Sequence, residues 1–197
     1  MAMQYDPIRT LMDEHQLFLA RVEAMRETWR RGTKNSGPES ELPRQVAEFA
    51  RFLVRDVDEL HGAKEEQALF PVLERHMPEG GPVSVMRSEH EMLRGFQRTL
   101  ERSSGALESD AENERAVAAT GRVLGEVDSL LSQHIVKEDF VLFPTAKELL
   151  SRTEFLQVSE ACLEIERAYR ERYGQNPELL PTGGSVVSRP PTRPVRA

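Results

Sequence analysis

One pattern occurs twice in this chain and limits its fold more than any other feature. HGAKEEQALFPVL begins at His61, and HIVKEDFVLFPTA begins at His134. A Glu-His dipeptide precedes each copy, Glu14-His15 before the first and Glu89-His90 before the second. The chain therefore contains two halves of nearly equal size, each with a histidine followed by the longer pattern.

The apolar residues of both halves are spaced as in helices. Steps of three and four residues place Leu11, His15 and Phe18 on one helix face, and four later segments show the same spacing. Asp6-Pro7 is a predicted helix start and Gly174 a predicted helix end. The predicted helices span about residues 7–31, 42–76, 83–100, 117–145 and 153–173, with breaks at 32–41, 77–82 and 103–114.

Two helix pairs of this kind predict an all-α fold, an antiparallel four-helix bundle with approximate two-fold symmetry. A fifth, C-terminal helix follows the second pair. We expect residues 1–174 to form one domain. Residues 175–197 are rich in proline and glycine, which predicts a flexible, disordered tail.

The repeated pattern places ionisable side chains on the apolar faces. Residues i and i+4 of a helix lie on the same side, so His61 points with Glu65 and His134 with Glu138. His15 and His90 also lie within apolar stripes. Four histidines and two glutamates are therefore expected to converge on the bundle axis.

Such a set predicts a metal centre, because buried carboxylates are costly unless they are paired or metal-bound. Any one histidine on an apolar face is more often a hydrogen-bonded core residue, but the repetition of the whole set favours metal binding. Imidazole and carboxylate ligands together suit iron, zinc or manganese. The predicted ligands are His15, His61, Glu65, His90, His134 and Glu138.

Other residues near the pattern are expected to have simpler roles. Glu14 and Glu89 are predicted to be surface charges, and Glu66 and Asp139 to be solvated or, at most, partners of the ligands. His76 lies too far along its helix to share the site, roughly 22 Å from His61 at 1.5 Å per residue. Cys162 is expected in the core, and the helices are expected to end or bend at Pro71 and Pro144.

These motifs resemble the hemerythrin-like family, the HHE cation-binding domain, over about residues 6–150. The resemblance rests on His15, on His61-x-x-x-Glu65 with its Leu-Phe-Pro, on His90, and on His134-x-x-x-Glu138 with its own Leu-Phe-Pro. It implies two iron ions held by these six residues, with bridging carboxylates and an oxo or hydroxo bridge. Oxygen-carrying hemerythrins add a His-x-x-x-His pair on the third helix, where this chain has His90 and Arg94.

The resemblance implies a protein that binds, senses or reacts with O₂, nitric oxide or peroxide, with or without catalytic turnover. The alternatives are iron storage or delivery, repair of iron centres, and a structural bundle that is empty or holds zinc. Repair proteins of the family usually carry a cysteine-bearing N-terminal extension, whereas the first predicted helix here begins near Asp6.

Charge and composition narrow the other functions. A net charge of −7 disfavours nucleic-acid binding through a basic surface. No apolar run reaches the roughly 20 residues of a membrane span, and the start of the chain does not resemble a signal peptide. With a single cysteine, a cytoplasmic location is expected. The basic tail is either an unselected terminus or a tether for a protein partner.

Overall fold

The computed structural model describes residues 5–33, 40–110 and 113–174, and these residues form helices and no strand. The prediction of an all-α chain is confirmed. The predicted tail at 175–197 lies outside the described residues, as does most of the predicted loop at 32–41. Within the described ranges, no helix combines the length and the apolarity that a membrane span requires.

Five long helices follow one another. Helix α1 is Pro7–Gly32, helix α3 is Pro82–Ser109 and helix α5 is Arg152–Tyr173. Helix α2 covers residues 42–73 and helix α4 covers residues 114–149. The predicted start of α1 is confirmed, since the Asp6 carboxylate accepts a hydrogen bond from Arg9 N at 3.0 Å. The predicted end of α5 is confirmed at Gly174, which adopts φ +80°.

Helices α2 and α4 both widen into π-helical turns around the repeated pattern. These turns are Leu53–Gly62 and Lys64–Leu69 in α2 and Glu138–Leu142 in α4. The last π-helical stretch of each helix ends just before a Phe-Pro pair, Phe70-Pro71 in α2 and Phe143-Pro144 in α4. Because a proline has no N–H to donate, it interrupts the hydrogen bonds of the preceding turn. Local π-helical geometry is also common at functional sites. Helix α2 ends at Leu73, two residues past its proline, whereas α4 continues to Leu149.

The predicted break at 103–114 is wrong over its first part. Helix α3 continues to Ser109 because its apolar spacing continues, with Leu100, Ser104 and Leu107 all buried. The Ser103 and Ser104 hydroxyls donate to the carbonyls of Leu100 and Glu101, so these polar side chains are satisfied inside the helix.

The core consists of two apolar clusters, one toward each end of the helices, with a layer of polar side chains between them. Helix α1 passes from the cluster around Leu11 to the cluster around Phe18, and α3 passes in the same sense. Helices α2 and α4 pass in the opposite sense, so successive helices alternate in direction. Helix α5 packs outside this core, with Val158 and Cys162 in the first cluster and Tyr169 in the second. The predicted burial of Cys162 is thereby confirmed.

Candidate metal centre

The layer between the two apolar clusters contains all six predicted ligands. Their exposed fractions are between 0 and 6 %. His15 comes from α1, His61 and Glu65 from α2, His90 from α3, and His134 and Glu138 from α4. The structure therefore brings together every residue that the repeat placed on an inner helix face.

The side chains form two groups that share both glutamates. Within each group, one ligand atom per residue lies within 4.8 Å of all the others. Glu138 approaches His15 Nε2 at 3.2 Å and His134 Nε2 at 3.1 Å, while Glu65 approaches His61 Nε2 at 3.5 Å and His90 Nε2 at 3.3 Å. The groups are His15, His61, Glu65 and Glu138, and Glu65, His90, His134 and Glu138.

The carboxylates of Glu65 and Glu138 lack hydrogen bonds, although both side chains are completely buried. None of their four oxygens has a hydrogen-bond partner, since the approaches of the histidine nitrogens do not meet hydrogen-bond geometry. Burying an unpaired carboxylate is strongly unfavourable. These oxygens therefore fit a metal site better than a structural hydrogen-bond network.

Each histidine directs Nε2 inward and Nδ1 at a carboxylate. Nδ1 of His15, His61, His90 and His134 lies 2.7–2.9 Å from Asp139, Glu14, Glu66 and Glu89, respectively. In the neutral form of each ring, Nδ1 donates its proton to the carboxylate and Nε2 carries a lone pair. The Nε2 atoms of His15 and His61 face each other at 3.1 Å, and so do those of His90 and His134. A cation accounts for such converging lone pairs, and carboxylates commonly orient metal-binding histidines in this way.

Sequence reasoning missed two of these four outer carboxylates, Glu14 and Glu89. Glu14 is 2 % exposed and the side chain of Glu89 is 14 % exposed, so the prediction that both are surface charges is wrong. Each points away from its own histidine and bonds a histidine on the next helix. The second of the two expectations for Glu66 and Asp139 is confirmed, because they bond the predicted ligands His90 and His15. Their repetition in both halves was the signal that could have identified all four.

The two Leu-Phe-Pro motifs complete the layer. Phe70 stacks on His90 with ring centroids 5.9 Å apart, and Phe143 stacks on His15 at 5.6 Å. Each phenylalanine therefore contacts a histidine of the other half of the chain. His76, in contrast, follows α2 and bonds Glu154 at 2.8 Å, outside the layer as predicted.

The electrostatics of the layer favour charged groups despite their burial. Burial opposes the charged form of His15, but Asp139 and Glu138 outweigh it and raise the pKa to about 10. The pKa of His90 is raised to about 10 in the same way, by Glu65 and Glu66. For Glu14, burial is outweighed by Lys64 and His61, which lower its pKa. The layer is therefore built to hold positive charge close to its carboxylates.

A small cavity lies against the four histidines. Its volume is about 10 Å³, about the smallest space that holds one water molecule. The rest of the wall is mostly apolar and consists of Phe18, Val57, Leu93 and Leu131, together with Asp58 and Gly62. The space beside the site suits a ligand of one or two atoms.

Comparison with known proteins agrees with this geometry. The hemerythrin HHE cation binding domain matches residues 6–146. The protein Rv1995 of Mycobacterium tuberculosis is 27 % identical over 166 residues, which are 84 % of this chain and 62 % of that protein. The iron-sulfur cluster repair protein YtfE is 31 % identical in Enterobacter and 29 % in Escherichia coli, over 53 % of this chain and 48 % of YtfE. The chain thus spans less than two thirds of the length of these relatives.

Proposed function

This chain belongs to the hemerythrin HHE cation-binding family, and on that premise we propose that it is a four-helix bundle holding a di-iron centre that binds, senses or reacts with O₂, nitric oxide or peroxide. The observation that carries the proposal is the pair of ligand groups that share Glu65 and Glu138. A shared pair of carboxylates is the arrangement expected for two bridged ions rather than for one.

The six predicted ligands divide between two ions in this proposal. His15 and His61 would hold one ion and His90 and His134 the other, and Glu65 and Glu138 would offer carboxylate oxygens to both. Imidazole and carboxylate donors suit iron, and zinc or manganese would satisfy the same donor types. When bound, the two ions supply redox equivalents and a coordination position for a small ligand.

The protein's own residues orient the ligands and exclude water. The carboxylates of Asp139, Glu14, Glu66 and Glu89 fix the histidine rings through Nδ1. Burial of the four histidines keeps bulk solvent from the inner nitrogens, and the cavity volume of about 10 Å³ suits a small ligand. The single buried cysteine is consistent with our assignment to the reducing cytoplasm.

A second candidate is delivery of iron for the repair of iron-sulfur clusters. The similarity to proteins named iron-sulfur cluster repair protein YtfE favours it. In this function the ions are cargo, so they leave the site for an acceptor. The two functions therefore differ in whether iron stays bound while the small molecule reacts.

Metal quantification combined with absorption spectra tests the proposal. We expect about two irons per chain and an oxo-bridged absorption in air that bleaches on reduction and changes with nitric oxide or peroxide. Glu65→Ala and Glu138→Ala should both empty the site, whereas Glu160→Ala, at an exposed position of α5, should not. Full metal content in both site variants would refute the ligand assignment.

A stable iron content without any response to the three small molecules would refute the reactive centre. Transfer of that iron to an apo iron-sulfur protein would then identify the delivery function. Zinc in the native protein would refute both functions.

A further inference from the structure

Helix α5 covers one of two equivalent faces of the molecule. It packs against residues 64–69 of α2, where Glu166 Oε1 lies 2.9 Å from Lys64 Nζ. Lys64 also bonds Glu14, and its side chain is completely buried. The lysine on this face is therefore paired with two carboxylates, one of which α5 provides.

Among the helices that the structure describes, none packs over the equivalent face on α3 and α4 as α5 packs over α2. By the repeat, Lys137 corresponds to Lys64 and Glu89 corresponds to Glu14, and the two side chains form the same ion pair. The Lys137 side chain is nevertheless 39 % exposed. Among residues 5–33, 40–110 and 113–174, Glu89 is the one carboxylate that Lys137 contacts. The place that Glu166 takes on the covered face has no counterpart here.

Large apolar side chains surround this exposed ion pair. Val85 and Met92 stand four residues before and three after Glu89, and are 45 % and 52 % exposed. Phe140 and Val141 stand three and four residues after Lys137, and are 76 % and 55 % exposed. These spacings place them on the same flanks as the ion pair. We call the surface made of Val85, Glu89, Met92, Lys137, Phe140 and Val141 the α3–α4 face.

The uncovered face is more apolar than the covered one. At the four corresponding positions of the covered face, the residues are Thr10, Leu17, Gln67 and Ala68. A cluster of exposed apolar side chains around a polar pair is typical of an interaction site. Helix α5 covers the less apolar face, whereas the more apolar face exposes its side chains to solvent. Covering the more apolar face would therefore remove more apolar surface from water.

We propose that the α3–α4 face binds the same face of a second copy of this chain. In a two-fold contact each Lys137 meets the Glu89 of the other copy, so the charges of the face complement themselves. Each lysine then gains the second carboxylate that Lys64 already has. The ion pair also leaves the face without net charge, although the chain carries −7, so this is a surface on which two acidic copies can meet with little repulsion.

Light scattering after gel filtration, over a range of protein concentrations, tests the proposal. We expect the 197-residue chain to form a dimer of twice 22.4 kDa. Phe140→Glu places a charge in the apolar contact of both copies, and we expect it to weaken the dimer at least about 100-fold.

Gln67→Glu is the matched control, since Gln67 is exposed and corresponds to Phe140 in the first half of the chain. It adds a charge outside the α3–α4 face and should leave the dimer intact. Circular dichroism and metal content should be unchanged in both variants, which separates loss of the contact from loss of the fold.

Several outcomes would overturn the proposal. A wild-type monomer at every concentration is one, and a dimer that Phe140→Glu and Gln67→Glu affect equally is another. If the full-length chain were a monomer and removal of residues 175–197 produced a dimer, the tail and not a second copy would occupy the face.

Discussion

At the residue scale, each proposed ligand histidine is held at both ring nitrogens. Nδ1 donates to a carboxylate of another helix, and Nε2 faces the shared glutamates. The outer carboxylate thus fixes the tautomer as well as the ring orientation. It follows that residues outside the proposed ligand set control how tightly the set binds metal.

Asp139 tests this dependence most simply, because its hydrogen bond to His15 is not shared with a lysine. Asp139→Ala should lower metal affinity about 10- to 100-fold while the helices stay folded. Asp13→Ala, at a 63 % exposed side chain, is the control and should leave affinity unchanged. Competition with a chelator measures the affinities, and equal values for both variants would contradict the role of Asp139.

Cys162 gives a second prediction at this scale. Burial raises the pKa of its thiol to about 12, so the neutral thiol dominates at pH 8. We expect thiol reagents to label the native protein at least about 100-fold more slowly than the denatured chain, because the thiolate is the reactive form. Rapid labelling of the folded, full-length protein would show that α5 opens.

At the scale of elements, α5 makes the two halves of the molecule unequal. It buries Lys64 completely, and Tyr5 donates to the same Glu166 at 2.7 Å. The corresponding Lys137 stays partly exposed. The same ion pair is therefore a buried network in one half and a surface pair in the other.

This difference predicts unequal effects of one substitution made at both sites. Lys64→Met removes the buried cation that Glu14 and Glu166 share, and it should lower the free energy of unfolding by about 3–5 kcal/mol. Lys137→Met removes a partly exposed pair and should cost less than about 1 kcal/mol. Urea denaturation at dilutions where the chain is monomeric measures both values. Similar costs would mean that α5 does not seal the Lys64 side.

At the scale of the whole molecule, the proposed metal layer joins helices α1 to α4. Each glutamate contacts histidines from both halves, so occupation of the site ties the halves together. Without a cation, four buried carboxylate oxygens lack hydrogen-bond partners at the centre of the molecule. The stability of the fold should therefore depend on metal.

Removal of the metal should lower the thermal unfolding temperature. A ligand present at about 1,000 times its Kd stabilises the native state by about 4 kcal/mol. We expect addition of Fe²⁺ without oxygen to restore the unfolding temperature of the wild type but not that of Glu65→Ala. An equal response of the two proteins would place the stabilising metal elsewhere.

The sequence by itself determined the helices and the inner layer. Helical spacing and the i, i+4 relation are local geometry, so the repeat sufficed to place His61 with Glu65 and His134 with Glu138 on inner faces. The predicted end of α3 was wrong because Ser103 and Ser104 indicate the start of a loop in the sequence. In the structure their hydroxyls donate to carbonyls of the preceding turn, so the helix continues.

Only the tertiary structure decided which side chains meet between helices. Glu14 and Glu89 follow no helix-face rule that links them to His61 and His134, since those contacts depend on how neighbouring helices are placed and rotated. The position of α5 could not be predicted from the repeat either. The repeat gives two equivalent faces and does not indicate which one a fifth helix covers. Packing chose the Lys64 face, and that choice leaves Lys137 and Phe140 at the surface.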